Sequence, residues 1–228
     1  ALSVATLSRR LSSIAAAHRL AGHGLDTRHP AIADVLAGLR RERGSAQRRA
    51  EALTVPRLKQ VLAPLGDSLA ERRDRALLLV GTAAALRRSE LAALDVADTA
   101  EGRGAVRAVG RTGTATCPAA AYAAWLAAAG IAAGAAFRAV DRHGRLGGRL
   151  SGNAVALIVQ RRAGAAGLDA AAYAGHSLRA GFATSAARAG IGEIQIARQT
   201  RHKSAQALRC YIRDGELFTC NITVGIGL

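Results

Sequence analysis

The sequence is short of several residue types, and each shortage narrows what it can be. Aromatic side chains make up 3% of it, while 55 of its 228 residues are Ala. A chain with so few large side chains and so much of the best helix former is expected to be mostly helical and packed through small residues. Half of it is apolar, which excludes disorder throughout. Cysteine occurs three times, at Cys117, Cys210 and Cys220, in neither a CxxC pair nor an even-numbered framework. A disulfide scaffold is thereby excluded, and a reducing cytoplasm is the expected location. The start of the chain lacks the apolar core of a signal peptide. The uncharged stretch Ala119 to Phe137 reaches membrane length, but it is mostly Ala and carries Gly130 and Gly134. Its transfer energy is poor for a span, so it reads as a buried Ala-rich helix breaking near Gly130. No GxxxxGK loop, HExxH helix or GxSxG elbow is present. His18, His23, His29 and His143 have no carboxylate or Cys partner at ligand spacing, so they read as surface or capping residues and no metal site is expected. There is no initiator Met, and the chain opens inside a helical pattern, as expected for a piece of a longer product.

Lysine is nearly absent as well. The basic side chains are 30 Arg and only Lys59 and Lys203, and the net charge is +16 with an isoelectric point near 11.5. Such an excess suits a polyanion, because each phosphate neutralised releases a condensed counterion, and Arg is the better bidentate phosphate ligand. A solvated basic surface would carry the same charge. Charge thus points to nucleic acid without naming a chemistry.

Two helical segments open the chain. Leu7, Leu11, Ile14, Ala15 and Leu20 recur at helical spacing, with Arg9, Arg10 and Arg19 offset from them. Beyond Pro30, the residues Ile32, Val35, Leu36 and Leu39 form a second apolar stripe. The basic run Arg40 to Arg49 holds the pair Gly44-Ser45 and reads as a linker, giving domains at 1–44 and 45–228; a charged helix end is the other reading of this run. Thr54 is an expected N-cap with Pro56 in the first turn. A strongly apolar helix is expected over Arg75 to Leu86, and a short one capped by Ser89. Ala105 to Val109 alternates and is flanked by Gly, so a strand is expected there. Helices return at 119–129, about 151–166, 179–189, 193–199 and 204–212. The fold class is therefore mainly α with a small β-sheet, an α+β arrangement.

Four fragments carry chemistry when taken together: Leu86-Arg87-Arg88-Ser89-Glu90-Leu91, Gly175-His176-Ser177-Leu178-Arg179, Arg201-His202-Lys203-Ser204 and Leu208-Arg209-Cys210-Tyr211. Singly, each reads as a basic helix end, a helix start or a surface Tyr. In this order and context they resemble the tyrosine recombinase (phage integrase) family, with its LRxSEL turn, HxLRHxFAT-like text, second His and final Tyr. His202 follows Arg179 by 23 residues, and Tyr211 follows His202 by nine. The resemblance runs from about residue 50 to 215, and residues 1–44 resemble the last helices of the helical core-binding domain that precedes such catalytic domains.

The resemblance implies a phosphoryl transfer without metal or other cofactor. Arg87 and Arg179 would clamp the non-bridging phosphate oxygens, remaining charged at any relevant pH. Tyr211 would attack the phosphate, giving a 3′-phosphotyrosyl link and a free 5′-hydroxyl. With an ordinary pKa of about 10, the phenol needs proton removal. The resemblance assigns the base-like role to His176 and a phosphate hydrogen bond to His202. Arg9, Arg10, Arg40, Arg41, Arg48, Arg49, Arg88 and Arg201 are expected to contact DNA. The implied partner is double-stranded DNA, bound by a tetramer that is monomeric in solution, with no membrane involved. Ala205, Leu208 and Ile212 form an apolar stripe with Tyr211 at its edge, and Ser204 is an expected N-cap.

Two departures from the family pattern bear on function. The family places a Lys on a β-hairpin between the first Arg and the HxxR, where it protonates the leaving oxygen. This sequence has no Lys between Lys59 and Lys203, and Asp98 to Cys117 is short for a full hairpin. Arg is a poor proton donor, so impaired cleavage is expected. Arg201 stands where the family usually has Gly. Besides an active recombinase, the sequence therefore admits a degenerate relative from a mobile element that binds DNA without cutting it. A type IB topoisomerase shares the chemistry but matches the HxxR text less well.

Overall fold

A computed structural model describes residues 2–44, 50–100 and 111–201. The chain divides into two compact units, 1–49 and 50–228.

In the first unit, helix α1 (Val4–Leu20) begins at Ser3, whose hydroxyl accepts the Thr6 N–H at 3.2 Å. Helix α2 (Pro30–Arg43) packs against it and starts with Pro, whose missing N–H costs nothing in a first turn. Of the stripe read on α1, Ile14 and Leu20 are exposed, and Val4 is the one buried residue of the two helices. Part of the expected linker is helix. Arg40, Arg41 and Arg43 form the last turn of α2, where positive charge complements the helix dipole, and Gly44 ends it at a φ of 71°. Ser45 to Arg49 lie outside the described residues.

The second unit is built round α4 (Leu69–Ala83), buried from Ala76 to Thr82. Its start is earlier than the expected Arg75, because Ser68 and Glu71 close a capping box in which each side chain takes the other's backbone N–H. The turn that follows carries polar side chains inward. Asp74 is fully buried and accepts from Arg73 on one oxygen (2.9 and 2.7 Å) and from Arg161 and Arg162 on the other (2.9 and 2.6 Å). Helix α3 (Val55–Leu62) starts after Thr54 with Pro56 in its first turn, as read. Helices α5 (Arg88–Ala93) and α6 (Val96–Ala100) follow α4.

Helix α7 (Pro118–Ala129) lies on α4 and stops at Gly130, which is left-handed, so the break falls where the sequence placed it. It is not buried throughout, however. Only Pro118 and Trp125 are, because an Ala-rich helix offers one seam to a neighbour and leaves its other sides to solvent. Trp125 donates its indole N–H to the Ala136 carbonyl at 2.8 Å. No described helix is long and apolar enough to cross a membrane.

Among the described residues the sheet is a two-stranded antiparallel hairpin, β1 (Arg138–Val140) and β2 (Leu146–Arg149). The Asp141 carboxylate accepts the backbone N–H groups of His143 and Arg145 across its turn. The strand expected at Ala105 to Val109 lies outside the described residues. Helix α8 (Gly152–Ala165) packs on α5, and α9 (Ser177–Arg188) on α4. Helix α10 (Glu193–Thr200) meets α9 through Ala183, Ala187 and Ile196. The mainly helical fold class with a small sheet is the one observed.

Candidate active site

The corner between α4 and α5 organises the site. Ala85 adopts the left-handed conformation, at a φ of 47°, and turns its carbonyl toward α9. There the Arg179 side chain, with only 1% of its surface exposed, donates from Nη1 to that oxygen at 3.0 Å. Two residues further on, Arg87 is the N-cap of α5 rather than part of its interior. Its guanidinium is about half exposed and pairs through Nη1 with Glu90 Oε1 at 2.6 Å.

His176 is the residue immediately before α9; its side chain is exposed along one edge while neighbouring atoms of the site desolvate the ring. Its imidazole is held below its ordinary pKa of 6.5, first by burial, then by the positive charges of Arg179 and Arg87. Those two charges reach one ring, so the structure brings Arg87, His176 and Arg179 together although 92 residues separate the first from the last. The lowered pKa favours the neutral ring, the form that can take up a proton.

Glu90 has a part that the sequence reading did not assign. The carboxylate accepts the Arg87 backbone N–H at 2.9 Å, the Arg87 guanidinium, and Arg201 Nη2 at 2.7 Å. Burial pushes its pKa up, but the hydrogen bonds from Arg87 and the charges of Arg201 and Arg87 outweigh that and leave it lowered. A Glu three residues after an N-cap is a capping signal, and that spacing was the available clue. The cap of α5 is Arg87, not the expected Ser89, because Glu90 can reach back to the Arg87 N–H.

Close approaches fix the surroundings. Arg88 is exposed and lies over Gly175, where an added Cβ would stand 2.8 Å from Arg88 Cβ. On α9, a Cβ at Gly181 would overlap the Leu53 carbonyl oxygen, so only Gly permits the backbone of residue 53 to lie there. The Leu53 N–H donates to the Ser177 carbonyl at 2.9 Å, tying this segment to the start of α9.

Of the other expected site residues, Arg9 and Arg10 are exposed on α1, and Arg40 and Arg41 on α2. Arg201 is half-buried and paired with Glu90. Arg48, Arg49, His202 and Tyr211 lie outside the described residues, as do the stripe around Tyr211 and the Ser204 cap. Among the described residues no group of His, Cys, Asp or Glu is arranged to hold a metal ion.

A helical domain that brings an arginine from the start of α5 together with a histidine and an arginine from the start of α9 is the arrangement of an enzyme class that breaks and rejoins DNA. The sequence profile of the phage integrase family matches residues 51–216, and the chain belongs to that family of tyrosine recombinases. Among curated proteins it is similar to an "Integrase/recombinase xerD homolog" of Selenomonas ruminantium. The two are 37% identical over 242 residues, spanning 95% of this chain and 70% of the relative.

Proposed function

We propose that this chain cleaves and rejoins duplex DNA in site-specific recombination through a covalent link to Tyr211. The Tyr211 oxygen attacks the scissile phosphorus as the phenolic proton passes to His176. The bond from phosphorus to the 5′-oxygen breaks, leaving a 3′-phosphotyrosyl link and a 5′-oxygen that takes up a proton from water. Arg87 and Arg179 hold the non-bridging oxygens, and His202 hydrogen-bonds the phosphate. Each such electrostatic contact contributes about 3–4 kcal/mol to the transition state. Attack by a 5′-hydroxyl from a second duplex reverses the step and completes the exchange within a tetramer. The observation that carries this reading is the convergence of Arg87, His176 and Arg179, the last docked through Nη1 on the Ala85 carbonyl two residues before Arg87.

The test is a nicked suicide duplex bearing the chain's own recombination site, incubated with the full chain and resolved on a denaturing gel. A covalent adduct is expected, and Tyr211→Phe should abolish it. A second reading rests on the absence of Lys between Lys59 and Lys203. In it the chain is a relative that binds DNA but cleaves poorly or not at all. Binding that weakens steeply with salt, with no adduct on a verified site, would establish that reading instead.

A further inference from the structure

We infer that Arg201 is a positioning residue: through Glu90 it ties the chain leaving α10 to the helix start that carries Arg87. This inference rests on the recombinase reading for its catalytic consequence, but its structural half stands apart from it.

Three observations on the described residues lead there. Arg201 closes α10 in the left-handed conformation, at φ 52° and ψ 42°. A side chain with a Cβ adopts that conformation at a cost that Gly avoids. Its guanidinium crosses to Glu90, 111 residues away in sequence, and pairs with Oε2 at 2.7 Å. Glu90 already holds Arg87 through the backbone N–H and through Oε1. One carboxylate therefore carries a guanidinium on each oxygen, one from the α5 start and one from the α10 end.

The same corner collects the rest of this seam. Gln199 donates to the Ala83 carbonyl at 2.9 Å, and Arg179 donates to the Ala85 carbonyl. Residues 83–90 thus receive side chains from both α9 and the end of α10. In this chain His202 directly follows Arg201, so the ion pair anchors the residue to which His202 is joined. A Gly at this position would make the turn at less strain but would leave its direction to the backbone alone.

The competing role for Arg201 is a direct phosphate contact, and the two roles separate experimentally. The full chain is compared with Arg201→Gly, Arg201→Lys, Glu90→Gln and the Arg201→Gly/Glu90→Gln double variant. Binding to a short random-sequence duplex is followed against salt, adduct formation on the nicked suicide duplex is followed at saturating DNA, and melting is recorded. Arg201→Gly is expected to melt within about 3 °C of the parent, since relief of strain offsets the lost ion pair. Its salt slope should be unchanged, whereas loss of a phosphate ligand would lower it by about 0.9. Adduct formation at saturating DNA should fall about 10- to 100-fold from misplacement, and Arg201→Lys should recover part of it. The double variant should be no slower than Glu90→Gln. A lowered salt slope, or effects of Arg201→Gly and Glu90→Gln that add, overturns the proposal. If the parent forms no adduct on its verified site, the recombinase reading fails and the catalytic half falls with it. The tie is then judged on melting, where additivity of the two single variants overturns it.

Discussion

Burial first, and then the positive charges of Arg179 and Arg87, set the direction in which His176 titrates. With the folded-state pKa below 6.5, the unfolded chain binds the proton more readily than the folded one. Stability contributed by the neutral ring is therefore complete above pH 6.5 and is lost as pH falls through 6.5 toward the folded value. The acid limb of adduct formation should lie below pH 6.5 for the same reason. Arg87→Gln removes one positive charge and should raise the His176 pKa, which NMR titration of the imidazole in DNA-free protein can follow. A pKa at or above 6.5 in the parent chain would contradict the electrostatic account. Arg87, His176 and Arg179 were singled out by motif order, which needs no geometry, and the structure brings the three together. Glu90 and Arg201 were visible as letters but not as partners, since nothing local joins residues 111 positions apart. The left-handed backbone at Arg201 left one trace in the sequence, a non-Gly residue where the resemblance expects Gly.

The elements were read from apolar periodicity, and they were misread where buried polar residues stand in for apolar ones. Helix α4 begins six residues before its expected start because Arg73 and Asp74 look like solvent-facing charges yet are buried as a pair. The hairpin β1–β2 was missed because Arg138 and the run Asp141 to Arg145 break any alternation, and its turn is held by Asp141 rather than by a hydrophobic pattern. That buried network links α4 to α8, and its removal should be felt by both. Asp74→Ala leaves Arg73 buried without its carboxylate and takes a partner from Arg161 and Arg162. The expected loss is about 3–5 kcal/mol, measured by urea unfolding. A loss under about 1 kcal/mol would mean that solvent reaches these arginines readily. Gly181→Ala tests a contact of another kind. Its methyl group would overlap the Leu53 carbonyl oxygen, so residue 53 must leave α9 and weaken the Leu53–Ser177 bond. A destabilisation of about 1–3 kcal/mol is expected from overpacking.

Across the whole molecule, the positive charge is carried almost entirely by Arg, which favours holding phosphate over giving up protons. With 30 Arg against two Lys and a net charge of +16, affinity for a phosphate backbone would rest mainly on Arg. Protonation of a leaving alkoxide is a different demand, because a guanidinium with a pKa of about 12.5 or more gives up its proton reluctantly. If the missing Lys limits cleavage, the limitation belongs to the leaving group and should vanish when that group needs no proton. A nicked duplex with sulfur in place of the scissile 5′-bridging oxygen departs as a thiolate, since thiols ionise near pH 8.5 (about two units above His). The two duplexes carry the same charge, so filter binding should give the same affinity for both. Adduct formation should nevertheless be about 10²–10⁴-fold faster on the sulfur-containing duplex, the usual contribution of a general acid. Equal rates on the two would show that proton delivery does not limit this chain and that another group supplies it.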